Sequence, residues 1–439
     1  MFVVSSLLMA EIVPGNSFNA KMRWLASNAQ SEGNYTVEVD TDQNIGPMTL
    51  SYNGKNNISI TLTGLGESTI TLSLSSNGSM FTVESGVTLI LDAGIDLRGR
   101  SGSYPNYNIA SLIRVNSGGT LIMNNGKIFN NTNYGAYGGG LYIAGRFIMN
   151  GGEISGNTSY VDSFVGNSYG GGVYVHNGGT FTMTNGKISG NNAFAASRGS
   201  SRSGDGAGVY VSGTFTMEGG EISGSRSSHS VYVANNANFT MSNGNISGNA
   251  AGGVDVASNA SFTMNGGNIS GNTSDNGAGV LVNGIFTMIS GEILGNIGTG
   301  VGVTSNGSFT MIGGKISGNG GSNVRGGGVR LTGNGTFRMS GGEISVNRAG
   351  NGGGGVYVLG STVFNKSGGF IYGYSNEDRS SNVVRDRSGN VLSNLGHAVY
   401  VHHSDGLYIM GRDSTSGTAD NLSFNGSGNP PTFDGEWDY

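Results

Sequence analysis

The 439-residue chain contains no cysteine. Disulfides, thiolate metal sites and a cysteine for lipid attachment are thereby excluded. Proline is scarce, at 5 residues, and only 11% of the chain is charged. Net charge is −5 and the 22 Lys and Arg are not clustered, so nucleic acid is not an expected partner. Long hydrophobic runs are missing too. The first ten residues, MFVVSSLLMA, read either as a truncated export signal or as an arbitrary start, and are too short to span a membrane.

What is abundant is glycine, 83 residues, together with one repeated phrase. It reads Gly-Gly-Thr-Phe-Thr-Met-Thr-Asn-Gly-Lys-Ile-Ser-Gly-Asn at 178–191 and Ser-Phe-Thr-Met-Asn-Gly-Gly-Asn-Ile-Ser-Gly-Asn at 261–272. Its first large apolar residue recurs as Leu121, Phe147, Phe181, Phe215, Phe239, Phe262, Phe286, Phe309, Phe337 and Phe364, at intervals of 23 to 34 residues. From that marker a Met follows at +2 in every copy but the last, an Ile follows at +7, and a Val-x-Val block precedes it, as at Val173–Val175 and Val254–Val256. Each block alternates apolar and other residues, the period of a strand with one buried face. None is long enough for a helix.

Three short strands per repeat cannot bury their apolar faces alone. Stacking each repeat on the one before it pairs equivalent strands in parallel and joins the inward residues into one core. The expected fold is all-β: a right-handed, single-stranded parallel β-helix of about a dozen three-strand turns. A left-handed coil would show a shorter, hexapeptide rhythm, which is absent. The strict Phe, Met and Ile columns also exclude disorder for the middle of a chain this rich in Gly, Ser and Asn.

Two further columns, read as outward-facing, test the stacking. At +10 stand Asn131, Asn157, Asn191, Ser225, Asn249, Asn272, Asn296, Asn319 and Asn347, expected to adopt left-handed backbone and form an amide ladder. At +6 the column reads Lys127, Glu153, Lys187, Glu221, Asn245, Asn268, Glu292, Lys315, Glu343, with no two like charges adjacent. The organisation expected is an N-terminal segment with a capping helix at 1–45, the β-helix at 46–411 and a C-terminal capping tail at 412–439. The helix is placed at 17–30, capped by Ser17, with Phe18, Met22, Leu25 and Ala29 on one face and Trp24 beside them.

Functional residues are expected where the repeat is interrupted. The corner after the +10 residue is lengthened at 132–140, 158–172 and 192–208, so these loops should lie on one flank. They carry Tyr134, Tyr137, Tyr160, Asp162, Phe164, Tyr169, Phe194, Arg198, Arg202 and Asp205. Aromatics with charged neighbours on adjacent loops suit a carbohydrate- or protein-binding patch, and equally suit packing of the loops onto the coil. An outward column, Tyr142, Tyr174, Tyr210 and Tyr232, broken at Asp255, is expected as cross-strand packing. No catalytic residues are assigned, and no cofactor: the regular Glu residues are ladder members. His397, His402, His403 and Asp405 are close in sequence, but the strand reading of 398–401 and 407–410 opposes a metal site.

The recurring Phe-Thr-Met-x-x-Gly-Glu-Ile-Ser-Gly-Asn and Gly-Gly-Val-Tyr-Val phrases, the lead-in from Ser76 and the closing Gly396-His-Ala-Val-Tyr-Val resemble a large family of bacterial surface or secreted right-handed β-helix repeat proteins with pectate-lyase-like architecture. Phe147/Asn150 and Phe262/Asn265 also resemble the Phe-x-x-Asn repeats of autotransporter passengers. The resemblance implies a cell-surface or extracellular, adhesin-like, non-enzymatic protein of the bacterial envelope whose partner is a polysaccharide or a host or cell-surface protein. The competing expectation is a carbohydrate-active enzyme, a polysaccharide lyase or glycoside hydrolase, with its site built from the 132–208 loops.

Overall fold

The computed structural model describes residues 10–412, apart from 103–106, 163–165, 198–199, 275–276, 360–361, 375–380, 393–394, 397 and 403–408; the side chains at 162, 196–197, 200–203, 402 and 409–412 are likewise left aside. The chain divides into two compact units, one formed by Met1–Val209 and Gly213–Phe215, the other by Tyr210–Ser212 and Thr216–Tyr439. Both are built as the repeat predicts.

In the first unit three sheets wind as a right-handed parallel β-helix. One runs through Asn34–Val39, Ile58–Gly64, Val87–Leu91, Thr120–Met123, Arg146–Met149 and Thr180–Met183, each strand parallel to the next. The register sets marker over marker: Leu89, Leu121, Phe147 and Phe181 are successive partners. The second sheet carries the Val blocks and the third the Ile blocks, again in parallel. Three early strands that the repeated phrase does not announce, Gln43–Ile45, Met48–Leu50 and Ile95–Arg98, extend these sheets toward the N-terminus. A helix at Phe18–Asn28 covers the start of the coil. Its N-cap Ser17 accepts the Ala20 N–H at 3.2 Å, and the buried face is Phe18, Leu25 and Ala29, with Phe18 edge-on to Phe81. The helix thus shields a sheet end that would otherwise be open to another chain.

The second unit repeats the plan. Phe239, Phe262, Phe286, Phe309, Phe337 and Phe364 stack with centroids 4.7–5.1 Å apart and planes within 13° of parallel. Isolated rings favour offset or edge-on pairs; here the spacing of hydrogen-bonded strands, about 4.8 Å, imposes the face-to-face file. Val-block strands run from Val231–Val233 to Val399–His402, and Ile409–Arg412 closes that sheet antiparallel. In the +6 column Lys315 meets Glu343 at 2.9 Å, and in the first unit Lys127 meets Glu153 at 3.6 Å with Lys187 in register beyond it. The alternation of charge is therefore a property of touching neighbours.

Two expectations about the +10 column need correction. These residues face inward: Asn131, Asn157, Asn249, Asn272 and Asn347 are fully buried and the others nearly so. Nor is the left-handed residue the Asn. It is the residue before, Gly at most turns but Asn130 at φ 53° and Val346 at φ 59°. That kink turns the following Asn into the corner, where its amide replaces the backbone partners the bend removes. The Asn272 Oδ1 accepts from the Asn249 N–H at 3.1 Å and Nδ2 at 2.8 Å, while the Asn272 Nδ2 donates to the Ile246 carbonyl and to Asn296 Oδ1. The ladder also reaches further than the phrase, to Asn108 in the first unit and Asn382 in the second.

Two outcomes follow. Asn272→Ala strands the buried Asn249 and Ile246 groups and should destabilise by about 2–4 kcal/mol, with accelerated hydrogen exchange at the Asn249 amide; unchanged exchange there would refute a supporting role for the ladder. Val346→Gly relieves a β-branched residue of left-handed backbone and should stabilise by about 0.5–1 kcal/mol after the entropy of the new glycine. A thermal melt that drops instead would show that Val346 is unstrained.

Candidate functional site

The lengthened corners lie side by side in the first unit, as their common position in the repeat implies. Their first residues form a fourth sheet, Thr132–Asn133, Thr158–Asp162 and Asn192–Ser197 in parallel, with Ser200–Ser203 returning antiparallel. Alternation along these strands sorts the side chains. Asn133, Ser159, Ala193 and Ala195 point inward and are buried, all small enough for the space beneath the loops. Tyr134, Tyr160 and Phe194 are half-buried on the other face, Tyr160 directly opposite Phe194 in register.

On that outer face the rings form a continuous file. Tyr107 and Tyr134 stack at 4.0 Å, Tyr134 and Tyr160 follow at 4.4 Å, and Tyr160 and Phe194 at 5.7 Å. Each such contact contributes about 0.5–1.5 kcal/mol beyond area, so the file rigidifies loops that lack a core of their own. Packing onto the coil is done by the small residues, which leaves one edge of the aromatic file open to solvent. Tyr107 escaped the sequence reading because it precedes the repeated phrase; its only signal is adjacency to Asn108, which continues the ladder.

A second group sits beside the first. Tyr137 and Tyr169 are bridged in parallel and stack at 5.5 Å, and Asp205 is bridged to Tyr169 on its other side. Tyr137 is 44% exposed, the most open ring among the described residues of the flank. It also stands edge-on to Tyr174 at 5.1 Å, and Tyr174 stacks on Tyr142 at 5.3 Å with the Arg114 guanidinium 4.1 Å over the Tyr142 ring. Tyr174 is buried beneath Tyr137, so this part of the Tyr column packs the flank, in keeping with the cross-strand expectation. In the second unit Tyr210 and Tyr232 stack at 5.2 Å. Asp255, opposite Tyr232, instead lies 3.8 Å from His229 Nδ1. Burial holds that imidazole down at about 4, so at neutral pH it is an uncharged ring beside a carboxylate.

Of the ten residues singled out, the structure therefore gathers Tyr134, Tyr160 and Phe194 into one stack and Tyr137, Tyr169 and Asp205 into another. Asp162 and Arg202 lie on strands of the fourth sheet, but their side chains, and Phe164 and Arg198 entirely, lie outside the described residues. His397, His403, Asp405 and the tail beyond 412 also lie outside, as do residues 1–9. Among the described residues no three His, Asp or Glu side chains converge as a metal site would require, and no helix is long and apolar enough to cross a membrane.

The chemically unusual member is Asp205. Burial raises its carboxyl to about 6, and the Tyr169 hydroxyl beside it is raised by burial and then by the charges of Asp205 and Tyr137. No cation among the described residues pairs with Asp205. Comparison with known proteins finds no matching family model, no matching curated protein and no matching solved structure.

The Asp205 shift has a defined sign. A carboxyl whose folded value lies above its unfolded value near 3.9 binds its proton more tightly when folded, so its contribution is full below about pH 4 and lost as pH rises through about 6. Asp205→Asn removes the penalty of the buried charge, and should stabilise the first unit at pH 7.5 by about 1–2 kcal/mol while changing little at pH 4. Melts of the variant and the parent at the two pH values check this; an equal difference at both would contradict it.

Proposed function

We propose that the protein is a non-enzymatic, surface or secreted β-helix that binds a glycan, or a protein surface, through the loop flank 132–208. The observation that carries this reading is the outward aromatic file of Tyr107, Tyr134, Tyr160 and Phe194. Half-exposed rings fixed in a file on a rigid support present a continuous apolar edge at little entropic cost on binding, which suits the apolar face of a sugar ring. The likeness of the repeats to envelope β-helix proteins supports a cell-surface or extracellular location with an adhesin-like role.

A second reading, a carbohydrate-active enzyme on the same scaffold, is favoured by one feature. A carboxyl held near 6 by burial, bridged to Tyr169, is what a general acid needs. The two readings separate in one experiment. A glycan array is probed with the full chain, and its hits are incubated with protein and assayed for new reducing ends and unsaturated products. Binding without turnover, weakened roughly tenfold by Tyr134→Ala or Phe194→Ala, supports the binding protein. Turnover that Asp205→Asn abolishes would replace it with the enzyme.

A further inference from the structure

One corner before the aromatic file, the Ile sheet carries a groove of about 520 Å³ bordered by Asn44, Ser73, Ser75, Arg98, Arg100 and Ser101. Asn44, Ser73 and Arg98 are successive partners in the sheet, and the next residue of that outward column is Phe129, a half-buried ring. The groove thus holds two guanidinium groups, several hydroxyls and an amide, and no carboxylate borders it.

This differs from the +6 column. Lys127 and Lys315 each stand against a glutamate one turn away. The Arg98 side chain is exposed and makes no ion pair among the described residues, and Arg100, one residue from it, directs Nη1 to the Ser75 carbonyl at 3.1 Å. Two cations that border one groove repel each other, and an anion held there offsets the repulsion. In a chain with net charge −5 they mark a local reversal of sign. Guanidinium groups present forked, coplanar donors that match the paired oxygens of a carboxylate or a sulfate ester, and serine hydroxyls add further donors.

The groove is continuous with the loop flank. The Arg100 carbonyl accepts the Thr132 N–H at 2.8 Å, and its own N–H reaches Asn131 Oδ1 at 3.3 Å. Thr132 opens the fourth sheet, two residues before Tyr134 of the aromatic file. A polymer crossing from one to the other would meet charge first and the open edge of the ring file next.

We propose that the Arg98/Arg100 groove is the anion-recognising subsite of the flank, so that the ligand is an acidic glycan whose carboxylate or sulfate ester sits between the guanidinium groups while adjoining sugar faces lie on Phe129 and the Tyr134 file. This rests on the reading of the flank as a glycan-binding surface. The sign of the charge selects the ligand, and the rings supply contact that is indifferent to charge.

The test measures binding of the full chain, by calorimetry at two salt concentrations, to three probes: hyaluronan oligosaccharides, which carry carboxylates only, dextran sulfate, which carries sulfate esters only, and neutral dextran. The expected result is tighter binding of at least one anionic probe than of dextran, weakened by salt. Arg98→Gln with Arg100→Gln should weaken it at least tenfold, Arg98→Lys with Arg100→Lys should restore it in part, and Lys55→Gln, remote from the groove, should leave it unchanged. Which anionic probe responds assigns the carboxylate or the sulfate ester. Near-UV circular dichroism and melting temperature verify that the variants fold, and the Lys pair keeps the test decisive if the Gln pair does not. Equal affinity for all three probes, or an equal loss in the Lys55 variant, would overturn the anionic subsite while leaving a neutral-glycan flank standing. Failure to bind any of the three probes would also overturn the subsite, and an array without a single glycan hit would overturn the flank reading with it.

Discussion

Every turn must return the chain to the same place about 4.8 Å further along, because that is the distance a backbone hydrogen bond sets between strands. Within each unit the side-chain columns are consequences of this step. Phe over Phe, Met over Met and Ile over Ile fill most of the interior because residues of like size keep an even spacing turn after turn, and the +6 charges alternate because like charges at that spacing repel. The step also explains the buried asparagines. At a corner the backbone bends away from its ladder partners, and an interior amide such as Asn272, with partners above and below, meets the hydrogen-bonding demand that the bend creates.

The same sealing device allows the coil to carry loops. Once Asn131, Asn157 and Asn191 have closed the corner from within, chain that leaves beyond them need not preserve the core, and its length can vary. Extra chain still has to satisfy its own backbone groups. The three long corners do so by pairing with one another as a fourth sheet, and the alternation of that sheet divides their residues into small ones that lie against the coil and rings that face away. The outward aromatic file is thus a by-product of the loops inheriting the spacing of the turns beneath them.

What could be read from sequence is what repeats. The period, the three strands per turn, the parallel register and the adjacency of Glu153 and Lys187 all follow from counting, because periodic stacking turns a sequence interval into a contact. The rest is local and has no period. Strands such as Gln43–Ile45 and Met48–Leu50 lack the phrase because the first turns are shaped by the helix that covers them. The inward turn of the ladder asparagines was missed because a polar residue beside glycines reads as an exposed corner, and the kink that buries it belongs to the preceding residue. The gathering of the loop aromatics was visible from their shared corner. That Tyr160 faces outward and Ser159 inward was not, since the loops do not repeat the alternation of the coil. The raised carboxyl of Asp205 depends on burial that no spacing reveals.

Periodicity also decides where function can reside on such a molecule. A residue in a column is constrained by its neighbours above and below, so a charge there is answered within the column and offers little to a ligand; Lys127 and Glu153 satisfy each other. Specific recognition needs groups that the column does not answer. Those occur where the rule lapses, at corners whose length varies and in early turns where the phrase has not yet taken hold. Arg98 stands in such a turn and the aromatic file on such corners, joined through the backbone of Arg100 and Thr132. On the proposed reading, recognition chemistry and irregular sequence coincide on this flank because the regular part of the coil has already spent its side chains on holding itself in register.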